Sequence, residues 1–380
     1  MKVILSVEPI RFPLTGIGRY TWELANALQH TPAIQELAFF AGRRFLQGLP
    51  TAQDKAGKSH SLKRWVQASY LASEAYRLLM PYLRQQALTG HEDFLYHGPN
   101  FFLPPFSGKK VATFHDLSPF TWAHCNTPQR IRFIQKECLH TLATADALIT
   151  DSRYNRQELA DYFNWPIERI FAVPLACSAD FQPRDSAQCQ AVLQRYNLSY
   201  QGYSLYVGTI EPRKNLSVLL DAYSRLPLAT RRRYPLILTG YQGWQNEQIM
   251  EKINLAQQQG WARYLGFLPA TDLPMLFSAA KTFCFPSLYE GFGLPVLEAM
   301  ASGVAVVCSH SSSLPEVVGE AGLMCDPHDT VTLSELLLTS LEDEIWRSQA
   351  ITNGLLQSEQ FSWQRCAAQT LAVYQKVLES

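Results

Sequence analysis

Two glutamates, Glu290 and Glu298, stand eight positions apart in the run SLYEGFGLPVLEAMASGVAVV. A glycine-rich turn separates them and leads into a helix, and Pro295 suits its first position because a helix needs no N–H there. The open N–H groups and partial positive charge at the start of that helix suit a phosphate. Carboxylates are strong acceptors for sugar hydroxyls. The pattern therefore predicts a ligand that carries both phosphate and hydroxyls, such as a sugar nucleotide.

A pair of adjacent cations, Arg213 and Lys214, follows the apolar run YSLYVG and precedes a predicted helix, with Asn215 as its expected cap. Positive charge at a helix start is unfavourable unless an anion is bound there. An arginine fork beside a lysine point charge suits a diphosphate. Many surface Lys–Arg pairs are inert, but this one stands where a strand ends and a helix begins. We therefore treat the pair as a candidate diphosphate site.

Two weaker motifs also follow predicted strands. Gly16 and Gly18, in PLTGIGRYTWEL, could let backbone N–H groups approach a ligand, although a simple turn explains the same pattern. His115 could donate to a substrate hydroxyl, or it could join Asp116 in tying down the next loop, with Asp116 as a turn cap. No second acid stands at a D-x-D spacing from Asp116, so we infer no metal site.

Short apolar runs alternate with helical patterns along the chain. The predicted strands are 2–7, 36–41, 94–98, 111–116, 147–151 and 170–175, then 203–208, 235–240, 262–267, 282–287, 304–309 and 322–327. The runs TGIGRYTWELANAL and TPQRIRFIQKECLHTLATA predict helices, the second opened by Thr127 as cap and Pro128 as first residue. Apolar strands between helices indicate parallel sheets covered on both faces. Two such series, separated by the polar stretch 178–188, predict two doubly wound α/β domains with the ligand site in the cleft between them.

Composition excludes several classes of protein. A chain of 380 residues, 47% hydrophobic and 17% charged, predicts a globular protein of two domains. No run of 18 apolar residues predicts a membrane span, and Glu8 and Arg11 follow the short first apolar run, which therefore indicates a strand and not a signal peptide. The eight cysteines form no C-x-x-C pair, which favours reduced core thiols in a cytoplasmic protein without a zinc site.

Positive charge is concentrated in the first half of the chain. Residues 1–175 hold 19 Lys and Arg against 14 Asp and Glu, and most of the excess lies in the segment 38–90, interleaved with Trp65 and several tyrosines. Such a segment can lie on an anionic membrane surface, and a solvated helix pair explains it equally well. We expect no nucleic-acid partner.

Together these motifs resemble the retaining glycosyltransferases of family 4. The resemblance rests on GIGRY, HD, EPRKN and E-G-F-G-L-P-V-L-E, extends through YLGFLPATDLPMLFSAA, LPEVVGEAG and FSWQRCAAQTLAVY, and covers nearly the whole chain. It implies a GT-B architecture, in which two Rossmann-like domains face each other across a cleft. Residues 1–178 would bind the acceptor and 179–360 the nucleotide-sugar, and a C-terminal helix in 361–380 would cross back to the first domain.

The resemblance also implies roles for individual residues. Arg213 and Lys214 would hold the donor diphosphate, Glu298 would bind the ribose, and Glu290 would bind hydroxyls of the transferred sugar. The remaining implied contacts are the backbone N–H groups of Phe292, Gly293 and Leu294 with sugar and phosphate, Gly16 and Gly18 with the diphosphate, His115 with the transferred sugar, and the backbone around Phe267 with the base.

The opening run RFPLTGIGRYTWEL most resembles bacterial O-antigen mannosyltransferases and their D-rhamnosyl relatives. This implies GDP-mannose or GDP-D-rhamnose as donor, a lipid-linked saccharide as acceptor, no metal or other cofactor, and a peripheral position at the inner face of the bacterial inner membrane. UDP-sugar-dependent glucosyl, galactosyl or GlcNAc transferases share every motif. Two rival classes of protein are a sugar-nucleotide epimerase of similar fold, which would need no acceptor, and a two-domain binding protein, which would normally be exported.

Overall fold

The chain folds around two parallel sheets that follow one another in sequence. The computed structural model describes residues 1–14, 16–51, 70–125 and 127–380, except for the side chains of 70–78 and 125. Most of the charged and aromatic residues that make the segment 38–90 basic therefore lie outside the described residues, among them Lys55, Lys58, Lys63, Arg64 and Trp65. The first sheet ends at Ile170–Ala172 and the second begins at Ser204–Val207.

The first sheet has seven strands in the order β3-β2-β1-β4-β5-β6-β7. They are β1 Lys2–Ser6, β2 Glu36–Ala41, β3 Arg44–Leu46, β4 Leu95–Gly98, β5 Lys110–Phe114, β6 Ala147–Thr150 and β7 Ile170–Ala172. All neighbours are parallel except β2 and β3, which form a hairpin. Gly42 lies in that hairpin turn with a φ of 69°, a backbone conformation that glycine adopts without strain. The hairpin strand β3 was not predicted from the sequence.

The second sheet has six strands, all parallel, in the order β10-β9-β8-β11-β12-β13. They are β8 Ser204–Val207, β9 Leu236–Thr239, β10 Ala262–Tyr264, β11 Thr282–Phe285, β12 Ala305–Ser309 and β13 Gly322–Cys325. In both sheets the first strand of the unit lies near the middle, the next two strands lie on one side of it, and all later strands lie on the other side. This is the doubly wound topology that the alternating pattern predicted.

Helices cover both faces of each sheet. In the first half they are α1 Gly16–Gln29, α2 Tyr70–Leu88, α3 Ser118–Thr121, α4 Pro128–Thr144 and α5 Arg153–Phe163. In the second half they are α6 Ser186–Tyr196, α7 Leu216–Arg225, α8 Leu228–Arg233, α9 Glu247–Gln258, α10 Leu273–Ser278, α11 Leu294–Ala301, α12 Leu314–Val318, α13 Thr330–Glu342, α14 Glu344–Ser358 and α15 Trp363–Glu379. Among the described helices, none is both long and apolar enough to cross a bilayer.

The C-terminal helix α15 crosses back to the first sheet, as expected. It packs against α1, and Tyr374 Oη lies 2.6 Å from His97 Nδ1 on β4. The other ring nitrogen of His97 lies 2.8 Å from Thr113 Oγ1 on β5. Burial lowers the pKa of His97 to about 3, so the ring is neutral and joins the helix to the sheet by hydrogen bonds alone.

Three helix starts differ in detail from the expectation. Asn215 precedes α7 in a left-handed conformation, φ 58°, and its side chain does not cap the helix. Its Nδ2 donates instead to the carbonyls of Pro286 (3.0 Å) and Pro327 (2.6 Å), so it joins three loops. Thr127 precedes α4 without a capping hydrogen bond from its side chain. Helix α11 begins at Leu294, which makes Pro295 its second residue and not its first.

Candidate functional site

A cavity of about 920 Å³ lies between the two sheets, with walls from both halves of the chain. Four of the sequence-predicted site residues line it: Gly16 and Gly18 from the first half, and Phe267 and Glu298 from the second. Its second-half wall includes residues 207–209 and 239–241, which lie at and just after the carboxyl ends of β8 and β9. Open α/β sheets bind ligands at this edge, so the cleft is the candidate site.

Glu298 is half-buried in the cavity wall, one turn inside α11. Its carboxylate has no hydrogen-bond partner among the described residues. Burial raises its pKa to about 8, and the charge of Arg19 offsets only part of that shift. The sequence indicated that a glutamate here would need partners, and the described part of the protein supplies none. A ligand with hydroxyl groups could supply them.

Arg213, Lys214 and Glu290 form one buried ion-pair cluster. Lys214 Nζ lies 2.6 Å from Glu290 Oε1, and Arg213 Nη1 lies 3.5 Å from Glu290 Oε2. Arg213 also pairs with Glu211 at 2.9 Å and donates to the carbonyl of Tyr289 at 2.9 Å. Burial alone would raise the pKa of Glu290, but the charges of Lys214 and Arg213 hold it below its ordinary value. Both cations therefore already have anionic partners here.

His115 lies beside this cluster but does not present a free ring nitrogen. Its Nδ1 lies 2.8 Å from Asp151 Oδ2, and its Nε2 lies 2.9 Å from the carbonyl of Pro99. Burial by itself would lower the pKa of His115, but the Asp151 charge and these hydrogen bonds raise it. Both ring nitrogens thus have partners within the protein, and a contact of His115 with the transferred sugar stays a prediction. Asp116 acts as the turn cap, because its Oδ1 accepts from Ser118 N at 2.9 Å and Ser118 Oγ at 2.7 Å.

The glycine-rich loop before α11 touches the first half of the chain directly. A Cβ on Gly291 would lie 2.1 Å from the carbonyl oxygen of His115, so only glycine fits this approach. Asn155 Nδ2 donates to the carbonyls of both His115 (2.6 Å) and Gly291 (2.8 Å) and so bridges the two loops. The two motifs that the sequence singled out thus meet in the structure.

The N–H groups of Phe292, Gly293 and Leu294 have no acceptor among the described residues. Gly293 precedes α11 with a φ of 110°, which turns the chain into the helix. The open N–H groups therefore lie at a helix start, where a negative group is favoured. The side chain of Phe292 has a separate role, because its ring is buried against Phe361 at 5.6 Å between centroids.

A run of serines after β12 supports this loop, and sequence reasoning missed it. Ser312 Oγ accepts from the backbone N–H of Glu290 at 2.9 Å. Ser313 Oγ lies 2.9 Å from the carbonyl of Glu290 and 2.8 Å from that of Phe292, and Ser309 and Ser311 donate to carbonyls earlier in the loop. The signal was the polar run SHSSS at the end of an apolar strand.

The two glycines of the first motif have different reasons for being glycine. A Cβ on Gly16 would meet nothing within 4 Å, so this residue is open to the cavity. Its φ of 42° lies in the left-handed region, which glycine adopts more readily than other residues. A Cβ on Gly18 would lie 2.8 Å from the carbonyl oxygen of Pro9, which explains Gly18 by packing. Gly16 therefore fits the close approach of a ligand better than Gly18 does.

Tyr241 is a second residue that the sequence did not single out. Its ring stacks on Phe267 with 3.9 Å between centroids, and both rings line the cavity. Both rings are large and exposed, Tyr241 to 54% and Phe267 to 43%. An exposed aromatic pair at a cleft offers a flat apolar surface to another ring.

Among the residues that the structure describes, no three His, Cys, Asp or Glu side chains are grouped as a metal site requires.

Comparison with known proteins places this chain among glycosyltransferases. Residues 197–357 match the family described as glycosyl transferases group 1. The chain is 47% identical to the O-antigen chain mannosyltransferase B of Escherichia coli, over 98% of this chain and 99% of that protein. It is also 34% identical to the serotype-specific mannosyltransferase WbdA of Escherichia coli, over 72% of this chain and 34% of that longer protein.

Solved structures agree on the architecture. Sucrose-phosphate synthase from Thermosynechococcus elongatus superposes with a TM-score of 0.70 over 100% of this chain and 99% of that one, at 20% identity. WaaG, a glycosyltransferase involved in lipopolysaccharide biosynthesis, gives a TM-score of 0.66 over 97% of this chain and 98% of that one, at 14% identity. At such identities the likeness concerns the fold, which is the expected GT-B arrangement of two α/β units.

Proposed function

The chain belongs to the group 1 glycosyl transferases, and from that premise we propose that it transfers mannose from GDP-mannose to a lipid-linked saccharide during bacterial O-antigen synthesis. GDP-D-rhamnose is the second donor that the sequence implied. The choice of mannose is supported by a relative named for O-antigen mannosyl transfer, which matches this chain from end to end at 47% identity. UDP-sugar transfer and epimerisation are the competing activities, and a comparison of donors separates them.

One observation carries the donor proposal. Glu298 is a carboxylate without a hydrogen-bond partner among the described residues, and it stands in the wall of a cavity of about 920 Å³. It lies one turn inside a helix whose first N–H groups are open. A nucleoside diphosphate has ribose hydroxyls for the carboxylate and phosphate oxygens for the N–H groups. The exposed Tyr241–Phe267 pair in the same cavity offers a surface for the base.

The chemistry then depends on charge. Cleavage of the anomeric C–O bond leaves an oxocarbenium-like sugar and a nucleoside diphosphate with additional negative charge. Arg213 and Lys214 stabilise that charge when they are aimed at the diphosphate. Because Glu290 now pairs with both cations, the incoming diphosphate replaces it as their partner and frees its carboxylate for the sugar hydroxyls. In this proposal the leaving phosphate accepts the proton of the acceptor hydroxyl on the same face, so the anomeric configuration is retained, and no metal is needed.

The proposal places the enzyme at the inner face of the bacterial inner membrane, where a lipid-linked acceptor is available. The basic segment 38–90 is a candidate for contact with that surface, and most of its basic and aromatic residues lie outside the described part of the chain. Contact through that segment therefore stays a prediction.

The test of the proposed function compares donors with and without acceptor. We expect release of GDP from GDP-mannose that depends on a lipid-linked mannosyl saccharide, and thermal stabilisation by GDP above that by UDP or ADP. Stabilisation by UDP alone would overturn the donor. Free sugar released without an acceptor would indicate an epimerase, and binding without any turnover would indicate a binding protein.

Replacement of Arg213 by alanine tests the charge chemistry. We expect kcat/KM to fall by the equivalent of about 2–4 kcal/mol, as on removal of other preorganised donors that stabilise transition-state charge. We expect kcat/KM of Lys214→Ala to fall by a similar amount. Lys252→Ala is the matched control, because it removes a cation whose ion pair with Asp221 is exposed. If Arg213→Ala kept the wild-type kcat/KM, Arg213 would not stabilise charge in the transition state.

A further inference from the structure

The outward face of helix α4 carries an unusual combination of side chains. The helix is anchored by buried Ile131, Cys138 and Thr141. At 100° per residue, the opposite side presents Arg132, Phe133, Lys136, Leu139 and His140, all of them exposed. We call these five residues the α4 outer face. Phe133 is 39% exposed and Leu139 is 53% exposed, so large apolar groups alternate with cations there.

The outward cations of this helix have no acidic partner among the residues that the structure describes. Arg132 and Lys136 on the α4 outer face, and Arg130 at its flank, form no ion pair with any described residue. Glu137 is the one acid in the sequence of the helix, and it is half-buried at the edge of the face. Elsewhere on the surface, exposed cations such as Lys2 and Lys252 do have acidic partners. The α4 outer face is therefore complementary to an anionic partner.

The position of the helix relates this face to the cleft. The ring of Phe133 lies 6.1 Å from the ring of Phe102, centroid to centroid. Phe102 in turn lines the cavity between the two sheets. A surface that covers α4 would therefore lie next to the first-half wall of the cavity. A saccharide anchored in that surface would have a short path to the site.

We propose that the α4 outer face docks on an anionic lipid bilayer. Cations attract acidic headgroups, while Leu139 can enter the boundary between headgroups and acyl chains. Nucleic acid would match the cations but would gain nothing from an exposed leucine between them. The proposal rests on the proposed function only for the lipid-linked acceptor.

Vesicle co-sedimentation of the full chain tests the proposal. The vesicles contain phosphatidylglycerol in phosphatidylcholine, and the reference vesicles contain phosphatidylcholine alone. We expect the protein to bind the anionic vesicles, and the double variant Arg132→Glu/Lys136→Glu to bind them about tenfold or more weakly, because each cation near such a surface contributes separately. Leu139→Ser should lower the binding that remains at high salt, where apolar contact is the larger contribution.

The control is a second basic surface with the same chemistry. Helix α8 carries exposed Arg232 and Arg233 close to Leu228, which is 48% exposed. The variant Arg232→Glu/Arg233→Glu changes the net charge by the same amount in the second half of the chain, and we expect it to keep vesicle binding. Loss of binding in this control with full binding in the α4 variant would overturn the proposal. So would equal binding of all three proteins, or binding to a soluble polyanion such as heparin without binding to the vesicles.

The same variants separate this proposal from the proposed function. With a short water-soluble acceptor, release of GDP from GDP-mannose should stay at the wild-type rate in Arg132→Glu/Lys136→Glu, since these residues lie outside the cavity lining. With acceptor embedded in anionic vesicles, the rate should fall in parallel with vesicle binding. Vesicle binding that depends on α4 without any GDP release in the wild-type protein would contradict the proposed function and support the docking surface.

Discussion

Glu290 and Glu298 differ in what surrounds their carboxylates. Glu290 is held by Lys214 and Arg213, whose charges keep its pKa below the ordinary value despite burial. Glu298 has no such partner among the described residues, and burial raises its pKa to about 8. In the proposed function, Glu290 is therefore a charged group that exchanges partners when a diphosphate binds. Glu298 is mostly a neutral acid at pH 7 that can both donate to and accept from ligand hydroxyls.

The raised pKa of Glu298 makes the stability of the ligand-free protein depend on pH. Its pKa rises from an ordinary 4.5 to about 8 on folding, so the folded state holds the proton more tightly. The resulting contribution is complete below about pH 4.5 and is lost as the pH rises through 8. Glu298→Gln cannot ionise, so we expect it to unfold at a higher temperature than the wild type above pH 8 and at a similar temperature near pH 4.5. The difference should be about 1–2 kcal/mol, because the side chain is only half-buried.

Thermal unfolding of both proteins across this pH range measures the effect. Glu320→Gln is the control, because it removes one carboxylate that is exposed to solvent in the same half of the chain. A constant difference between Glu298→Gln and wild type at all pH values would show that Glu298 ionises normally. Glu298→Gln should also bind GDP more weakly than the wild type if the Glu298 carboxylate binds the ribose.

Tyr241 offers a separate test of where the base binds. Stacking of a base on an aromatic ring contributes about 1–3 kcal/mol, so Tyr241→Ala should raise the Kd for GDP about tenfold or more and leave the affinity for pyrophosphate unchanged. Trp244→Ala is the matched control, because Trp244 is 53% exposed on the same loop and does not line the cavity. Isothermal titration of each variant with GDP and with pyrophosphate gives the comparison. Equal loss of affinity for both ligands would contradict base stacking.

The sequence identified many residues of the site but not their pairing. Glu298, inside a helix, and Phe267, after a strand, both line the cavity, and their positions along these elements follow from apolar periodicity. The pairing of Lys214 with Glu290 crosses 76 residues of sequence, and no local pattern encodes a contact at that separation. The partner of His115 could not be predicted for the same reason. Asp151, which holds its ring, lies 36 positions away at the end of a neighbouring strand.

At the scale of elements, buried strands were predictable and short exposed ones were not. Every apolar run that indicated a strand became one, since continuous apolar segments between helices have few other stable arrangements. The hairpin strand Arg44–Leu46 was missed because it is three residues long and begins with an arginine. Its existence depends on Gly42, whose left-handed backbone closes the turn. The only sequence feature that indicated this strand was therefore the glycine of the hairpin turn.

Hydrogen bonds by which one loop supports another also could not be predicted from sequence patterns. The serines Ser309 to Ser313 indicate a polar loop after β12, and the structure uses them to hold the glycine-rich loop before α11. Asn215 similarly joins two distant loops and does not cap its helix. In both cases a short polar side chain satisfies backbone groups of a segment far away in the sequence. Periodicity carries no information about such contacts.

At the scale of the whole molecule, polar contacts hold the two halves together around the cleft. Glu316 of α12 accepts from the backbone N–H groups of Arg153 (2.9 Å) and Tyr154 (2.6 Å), the first residues of α5. Tyr289 Oη donates to Glu158 Oε2 at 2.6 Å and accepts from the N–H of Leu117 at 2.9 Å. The two Glu316 hydrogen bonds are exposed, so each contributes a modest free energy to this arrangement. Substrate entry and release are therefore compatible with opening at this interface.

Removal of the Glu316 contact should shift the molecule toward an open arrangement. A carboxylate at a helix N-terminus contributes about 0.3–1 kcal/mol at an exposed site, and in this protein that stabilisation is available only while the two halves touch. If donor binding requires the closed form, Glu316→Ala should raise the apparent Kd for GDP-mannose about two- to fivefold, because fewer molecules are in the competent state.

Small-angle scattering measures the accompanying change directly. We expect Glu316→Ala to have a larger radius of gyration than the wild type without ligand, and the two proteins to converge at saturating GDP-mannose, because the ligand restores the closed population. Glu320→Ala is the matched control, since Glu320 is exposed in the same segment and makes no such contact with α5. Equal radii and equal affinities for Glu316→Ala and wild type would show that this hydrogen-bonded contact does not govern closure. The opening would then have to be sought at Asn155 and Tyr289, which bridge the same two halves nearer the candidate site.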